Sequence, residues 1–311
     1  MFNKKFSLNN IYFLNKNTIL ITLSLILLIH LIYTYNLSRY TDIKEDFTDY
    51  FDNSTLYDEY YSKIYDKLFY SDGKNNYELK EIDKRIFSKW KGTKINILDL
   101  GCGTGKHAEY WAKHYDFVGI DKSKDMLKIA RKNNINNSQA KFILGDLTDS
   151  DLFESRSFSH ITCLYFTFYY IKDKRSFFET CNYWLKENGI LCLHLVNRKK
   201  FDPILEKASP WPMFSLQRYS DKRITKSTLI FDKFKYEANF ELDDNIGTFK
   251  EKITFEKNNN VRNNVHTFYM PSMRNIIAIA RQYNFKVNGF TDLTNSGFEY
   301  QYIFYFKKSQ E

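Results

Sequence analysis

Proline is nearly absent from this chain, four residues in 311, and glycine is sparse at eleven. Scarce breakers beside 28 Phe and 24 Tyr describe an ordered, folded chain rather than a disordered one. Cysteine is scarce too. Cys102, Cys163, Cys181 and Cys192 show neither a paired spacing nor a Cys/His cluster, which removes a disulfide framework and gives no zinc site. Buried free thiols in a reducing compartment are the simplest account. No charge of one sign dominates: 46 basic against 37 acidic residues leave +9, a modest excess spread over solvated surface. The length suits one core of ~200–250 residues with attachments.

Three of the few glycines fall within five positions. Residues 95–100, Ile-Asn-Ile-Leu-Asp-Leu, run apolar into Gly101-Cys102-Gly103-Thr104-Gly105 and then a helical segment. That is a strand, a tight turn and a helix N-terminus, where left-handed backbone and free N–H groups can meet an anionic ligand. The dinucleotide fingerprint G-x-G-x-x-G needs glycine at 106, where Lys106 stands. A second apolar strand, 116–121, ends in Asp121, placed to accept hydrogen bonds from both hydroxyls of a ribose. A third, 141–144, runs into Gly145-Asp146-Leu147.

The segment Leu98-Asp99-Leu100-Gly101-Cys102-Gly103-Thr104-Gly105 resembles the first motif of the class I S-adenosylmethionine-dependent methyltransferases, and Asp121-Lys122-Ser123-Lys124-Asp125-Met126-Leu127 resembles the segment that follows their second strand. The resemblance implies S-adenosylmethionine as cofactor. It gives Asp99, Gly101, Cys102, Gly103 and Gly105 to the loop, Asp121 to the ribose, Lys122 and Met126 to the adenine side, and Asp146 to the adenine amino group, with Leu147 and Leu164 completing the set. A helix N-cap is the alternative role for Asp146. The resemblance also implies an α/β, doubly wound, seven-stranded Rossmann-like sheet in the order 3-2-1-4-5-7-6, the last two strands being 285–290 and 300–306.

Other segments are placed by pattern. Tyr57, Tyr60, Tyr61, Ile64, Tyr65, Leu68 and Phe69 recur at helical spacing. Core packing is one account; a lid helix whose Tyr57 and Tyr65 reach the cofactor, as in related small-molecule enzymes, is the other. Crossover helices are expected over 107–114 and 124–132, a further helix over 175–186, strand four over 159–165 and strand five over 189–196. Over 198–270 the rhythm changes: Phe234, Tyr236, Ala238, Phe240 and Leu242 alternate with polar residues, predicting an inserted antiparallel sheet that roofs the acceptor pocket.

The N-terminal part divides into a basic segment 1–17, an uncharged stretch 18–36, a polar linker 37–55, and the methyltransferase domain over 56–311. Nineteen residues without a charge fit a single membrane-spanning anchor, with a cleaved signal peptide as the alternative. The expected protein is therefore a single-pass membrane enzyme with its domain in the cytosol.

Methyl transfer needs a bare nucleophile in line with the methyl carbon, and a base where the acceptor carries a proton. Tyr169, Tyr170 and His266 are candidates; His194 in an apolar strand fits a core histidine, and His160 begins strand four at the wrong edge. The acceptor is a small molecule or a protein side chain, methylated at N or O. DNA amino-methyltransferases carry Asn/Asp-Pro-Pro-Tyr after strand four, and Tyr165-Phe166-Thr167-Phe168-Tyr169 does not match. An RNA enzyme and a non-catalytic scaffold that keeps the cofactor fold are the alternatives.

Overall fold

The computed structural model describes residues 21, 23–28, 51–92, 94–208, 217, 220, 222–257 and 259–309. Its helices begin where a short polar side chain holds a backbone N–H left unpaired by the first turn. Asp58 accepts from Tyr61 at the start of α1 (Glu59–Phe69), and Ser71 from Lys74 at the start of α2 (Asp72–Arg85). Then follow β1 (Asn96–Leu100), α3 (Ala108–Trp111), β2 (Asp116–Asp121), α4 (Lys124–Asn133), β3 (Ala140–Leu144), β4 (Phe158–Cys163), α5 (Thr167–Tyr170), α6 (Lys174–Trp184) and β5 (Leu185–Val196). An inserted hairpin series, β6 (Lys226–Ile230), β7 (Phe234–Asp243), β8 (Ile246–Phe255) and β9 (Val261–Tyr269), precedes α7 (Met273–Gln282), β10 (Phe285–Asp292) and β11 (Gln301–Lys308).

The main sheet runs β10-β11-β5-β4-β1-β2-β3. Counting β10 and β11 as its sixth and seventh strands, this is the expected order 3-2-1-4-5-7-6. β11 is antiparallel to both neighbours and the remaining pairs are parallel. Alternation along the strands divides the core between the two faces. Leu98, Leu100 and Ile120 pack with Phe177 and Trp184 on one side, while Ile97, Phe117 and Cys192 pack with Leu79 and Trp111 on the other. All four cysteines are free and buried.

The departures from the sequence reading have local causes. The helix expected to reach Lys186 stops at Trp184, and β5 begins at Leu185 instead of 189, because fully buried Leu185 pairs with Phe158. The register then shifts, with Asn188 at φ 62 taking up the irregularity. The first crossover helix shrinks to 108–111, the chain passing through turns at 112–114 before β2 begins at Asp116 as expected. β6 was not foreseen. Part of the linker is structural: the backbone of Phe51 pairs with that of Asn263 and Val265, and the Asn53 amide exchanges two 2.9 Å hydrogen bonds with the backbone of Thr267. Among the described residues no helix is long and apolar enough to cross a membrane. Most of 18–36 and all of 1–17 lie outside the described residues; 21 and 23–28 are helical, with Ile21, Leu23 and Leu25–Leu28 exposed.

The inserted sheet keeps its apolar alternation yet buries polar groups at the same parity. Tyr236, Glu251, Arg262, Asn264 and His266 face inward beside Phe240, Phe249 and Phe268. Arg262, fully buried, reaches Asp58 at the head of α1 (2.7 Å), donates to the Leu56 carbonyl (3.0 Å) and lies over the Phe51 ring. It fastens the inserted sheet to the head of α1. Replacing it strands Asp58 and a carbonyl, so Arg262→Ala should cost about 3–5 kcal/mol in chemical unfolding. Arg262→Lys, lacking the planar fork, should recover only part of that loss.

Candidate active site

The loop after β1 passes through Gly101 at φ 65 and Gly103 at φ 53. A Cβ on Gly101 would sit 2.5 Å from Cγ2 of Thr167, so only glycine lets the loop meet α5, whereas one on Gly103 would point into open space. Asp121 closes the loop from β2: its Oδ2 accepts from the Gly103 N–H (2.9 Å) and its Oδ1 from the Ser123 N–H (2.8 Å). Each oxygen keeps a lone pair for a ligand. Burial, reinforced by nearby Asp99, pushes this carboxyl above its usual range despite those two N–H groups. Asp146 sits across the cleft, held by Lys122 (2.6 Å) and by the backbone and hydroxyl of Thr148. Burial raises its carboxyl less than these partners lower it, and the net direction is down.

The cleft between them measures about 860 Å³ and takes in Gly101, Gly103, Asp121, Met126, Asp146 and Leu147. Beyond it lies a second, chiefly aromatic chamber of about 170 Å³, with Phe166, Phe249, His266 and Phe268 in its wall. Tyr57, Tyr65, Thr167 and Tyr170 line both cavities and form the partition between them. Tyr57 and Tyr170 join hydroxyl to hydroxyl at 2.7 Å across that partition. Tyr170 also bonds His266 Nδ1 at 2.5 Å, and His266 Nε2 lies 2.9 Å from Glu251.

Glu251 is fully buried and accepts from Tyr61, Tyr236 and Asn264 as well. Burial would raise its carboxyl; the His266 imidazole and the hydrogen bonds from His266, Tyr236 and Asn264 outweigh it and draw the carboxyl below its usual range. Such a site holds a carboxylate, and Nε2 is the imidazole nitrogen that faces it while Nδ1 faces the Tyr170 hydroxyl.

Of the residues expected at the cofactor, Tyr57, Tyr65, Gly101, Gly103, Asp121, Lys122, Met126, Asp146 and Leu147 line the cleft. Four do not. Asp99 is turned into the core, bonded to His107 (2.8 Å) and Thr162 (2.6 Å), because it shares the parity of Ile97 and faces α3. Cys102 and Leu164 are buried beneath the loop and strand, and Gly105 packs against Ala130 and Asn134. Tyr169 is withdrawn as a base: its hydroxyl accepts from the Val196 N–H in the core. His194 is buried, bonded to the Tyr165 carbonyl, and pushed down to about 3 by burial, so it is neutral. His160 lies between Phe87 and Trp90, away from both cavities. Glu251 and Tyr61 escaped the sequence reading, although the inward parity Phe249, Glu251, Ile253 marks Glu251 as buried.

Residues 97–189 match the family described as a methyltransferase domain. The seven-stranded order, the glycine loop and the cleft agree with that match. Residues 97–189 carry a methyltransferase domain, set in the fold of the class I enzymes. Over 106 residues, 33% of this chain and 39% of the other, it is 33% identical to dTDP-3-amino-3,6-dideoxy-alpha-D-glucopyranose N,N-dimethyltransferase from Streptomyces fradiae, so the match spans about two-fifths of that protein. In structure it resembles the CcbJ methyltransferase from Streptomyces caelestis (TM-score 0.62, 13% identity, 83% of this chain and 100% of that one). It also resembles CalS10 from Micromonospora echinaspora, an amino pentose methyltransferase solved with S-adenosylmethionine (TM-score 0.56, 16% identity, 87% of this chain and 100% of that one). At these identities the structural likeness is one of fold.

The methyltransferase cleft suits S-adenosylmethionine on its own geometry: a glycine cradle open at Gly103, a carboxylate with two free lone pairs at the end of β2, and a second acid beyond it. Asp121→Ala removes the carboxylate that the sequence reading assigns to the ribose and leaves the Gly103 N–H without its partner. Titration calorimetry should find cofactor affinity weakened roughly a hundredfold, since charge-assisted hydrogen bonds are worth about 1.5–3 kcal/mol each. An unchanged Kd would remove Asp121 from the site.

Proposed function

We propose that this protein transfers a methyl group from S-adenosylmethionine to the nitrogen of a small amine, of the amino-sugar kind. The observation that carries this is the tyrosine partition: Tyr57, Tyr65, Thr167 and Tyr170 border both a nucleoside-sized cleft and an aromatic chamber of about 170 Å³. A chamber near the ~150 Å³ of an engineered cavity that takes benzene holds one ring. S-adenosylmethionine supplies a methyl carbon whose bond to sulfur breaks, its electron pair staying on sulfur, as the acceptor's lone pair forms the new N–C bond. The chain's part is placement and water exclusion: the loop and Asp121 fix the nucleoside, and the partition leaves only tyrosine edges and Thr167 between donor and acceptor. Aromatic walls also favour an amine, which presents a cationic or partly cationic nitrogen to the ring faces. The Streptomyces fradiae relative is named for an amino-sugar substrate, which supports the same class.

Residues 18–36 are proposed to tether the domain to a membrane, with the domain in the cytosol beside its cofactor supply. The support is the uncharged run itself and the exposed apolar side chains at 21, 23 and 25–28. Full-length protein should then resist alkaline carbonate extraction from cell membranes, and release into the supernatant would remove the tether.

The function is checked by incubating the full chain with S-adenosylmethionine and dTDP-3-amino-3,6-dideoxyglucose, glucosamine or a quinol. Release of S-adenosylhomocysteine with the amines and none with the quinol is expected. Turnover of the quinol alone would replace the amine by an oxygen acceptor.

A further inference from the structure

From the tyrosine partition into the buried face of the inserted sheet runs a single file of proton-carrying groups. Tyr57 hydroxyl, Tyr170 hydroxyl, His266 Nδ1, His266 Nε2 and the Glu251 carboxylate lie in sequence at successive separations of 2.7, 2.5 and 2.9 Å, the imidazole ring joining its own two nitrogens. Three parts of the chain supply it: the turn before α1 gives Tyr57, α5 gives Tyr170, and the insert gives His266 and Glu251. Cross-strand register explains the placement. Phe240, Phe249 and His266 are opposite one another over β7, β8 and β9, and Ala238, Glu251 and Asn264 form the next row on the same face. His266 and Glu251 are therefore diagonal neighbours pointing one way.

We infer that Tyr57, Tyr170 and His266 form the proton exit for the acceptor amine, with Glu251 as the residue that positions and charges the imidazole. This rests on the amine reading above and adds to it the base that the reading lacks. An amine enters as an ammonium and has no lone pair until a proton leaves. Three protons move one place each: the ammonium's to Tyr57 Oη, that of Tyr57 to Tyr170 Oη, and that of Tyr170 to His266 Nδ1. The imidazolium so formed faces the Glu251 carboxylate through its Nε2–H, the freed nitrogen attacks, and the proton count is unchanged. After release of the methylated amine the imidazolium returns its proton by the same file or to water.

The surroundings of His266 suit this traffic. Tyr57 faces it from the turn before α1, Tyr61 from α1, Tyr170 from α5, and Glu251 from β8, with Tyr236 of β7 on the other side of Glu251. Phe249 and Phe268 flank the ring and exclude water. The cation nearest in the network, Arg262, bonds Asn264 and is itself paired with Asp58, so its charge does not oppose an imidazolium. Tyr61 and Asn264 donate to Glu251 and keep its carboxylate aimed at Nε2.

Two measurements on the full chain decide the matter. Imidazole 15N NMR of the complex with S-adenosylhomocysteine should show His266 protonated on Nε2 and bare on Nδ1; a proton on Nδ1 at rest would leave nowhere for the Tyr170 proton and overturns the relay. With an amine the wild type methylates, His266→Gln should lower kcat about a hundredfold at neutral pH and keep the cofactor Kd within about twofold, which also shows that the variant is folded. Its rate should then climb about tenfold per pH unit below the amine's own pKa, because the proton now leaves only to water, while the wild type climbs less steeply. Glu251→Gln should fall between the two. A His266→Gln enzyme within threefold of wild type, with the same pH profile, overturns the inference. Failure of the amine reading looks different: the cofactor binds and the imidazole shows its Nε2 proton, yet no amine is methylated.

Discussion

A carboxylate with no access to water holds the upper half of this molecule together. Moving Glu251 out of water costs several kcal/mol, and the cost is met only because Tyr61, Tyr236, Asn264 and His266 all turn a polar hydrogen toward it. Those four groups come from α1, β7 and β9, so α1 and the inserted sheet are bound to one another by the same carboxylate that faces the imidazole. Arg262 repeats the arrangement with opposite sign, a buried cation whose partners are Asp58 and a carbonyl near the head of α1. The polar interior of the insert is thus a fastening and a site at once.

The two cavities differ because different physics made them. The cofactor cleft sits where parallel strands end and the chain must turn: backbone N–H groups there lack strand partners, and Asp121 gathers two of them while keeping lone pairs outward. The chamber is a gap between three separately folded surfaces, the sheet edge, α1 and the insert, and its walls are the aromatic faces each of those surfaces would otherwise bury elsewhere. Tyrosine suits the partition, since a ring fills space on the dry side and the hydroxyl finds a partner, as Tyr57 and Tyr170 find each other.

Asp99 shows how one residue's parity decides its part. It belongs to the same motif as Gly101 and Gly103, yet Asp99 follows Leu98 on the opposite face of β1, and α3 offers it His107 there. The burial that lowers the His107 imidazole's affinity for a proton is outweighed by the Asp99 carboxylate, and the net direction is up. The pair underpins the loop from below, and of the three acids Asp99, Asp121 and Asp146 only the last two face the cleft.

The chain's own residues were enough to determine the glycine loop, Asp121 at the end of β2 and the antiparallel character of the insert. All of these follow from short-range rules: alternation, turn chemistry and the few positions where a left-handed backbone is tolerated. Which tyrosine faces a cavity, that Tyr169 serves the Val196 backbone while Tyr170 meets His266, and that Glu251 is the hub of the roof were decided by tertiary structure. These contacts join residues up to about two hundred positions apart, and their register depends on how the insert lands on α1, a packing outcome that no local pattern encodes.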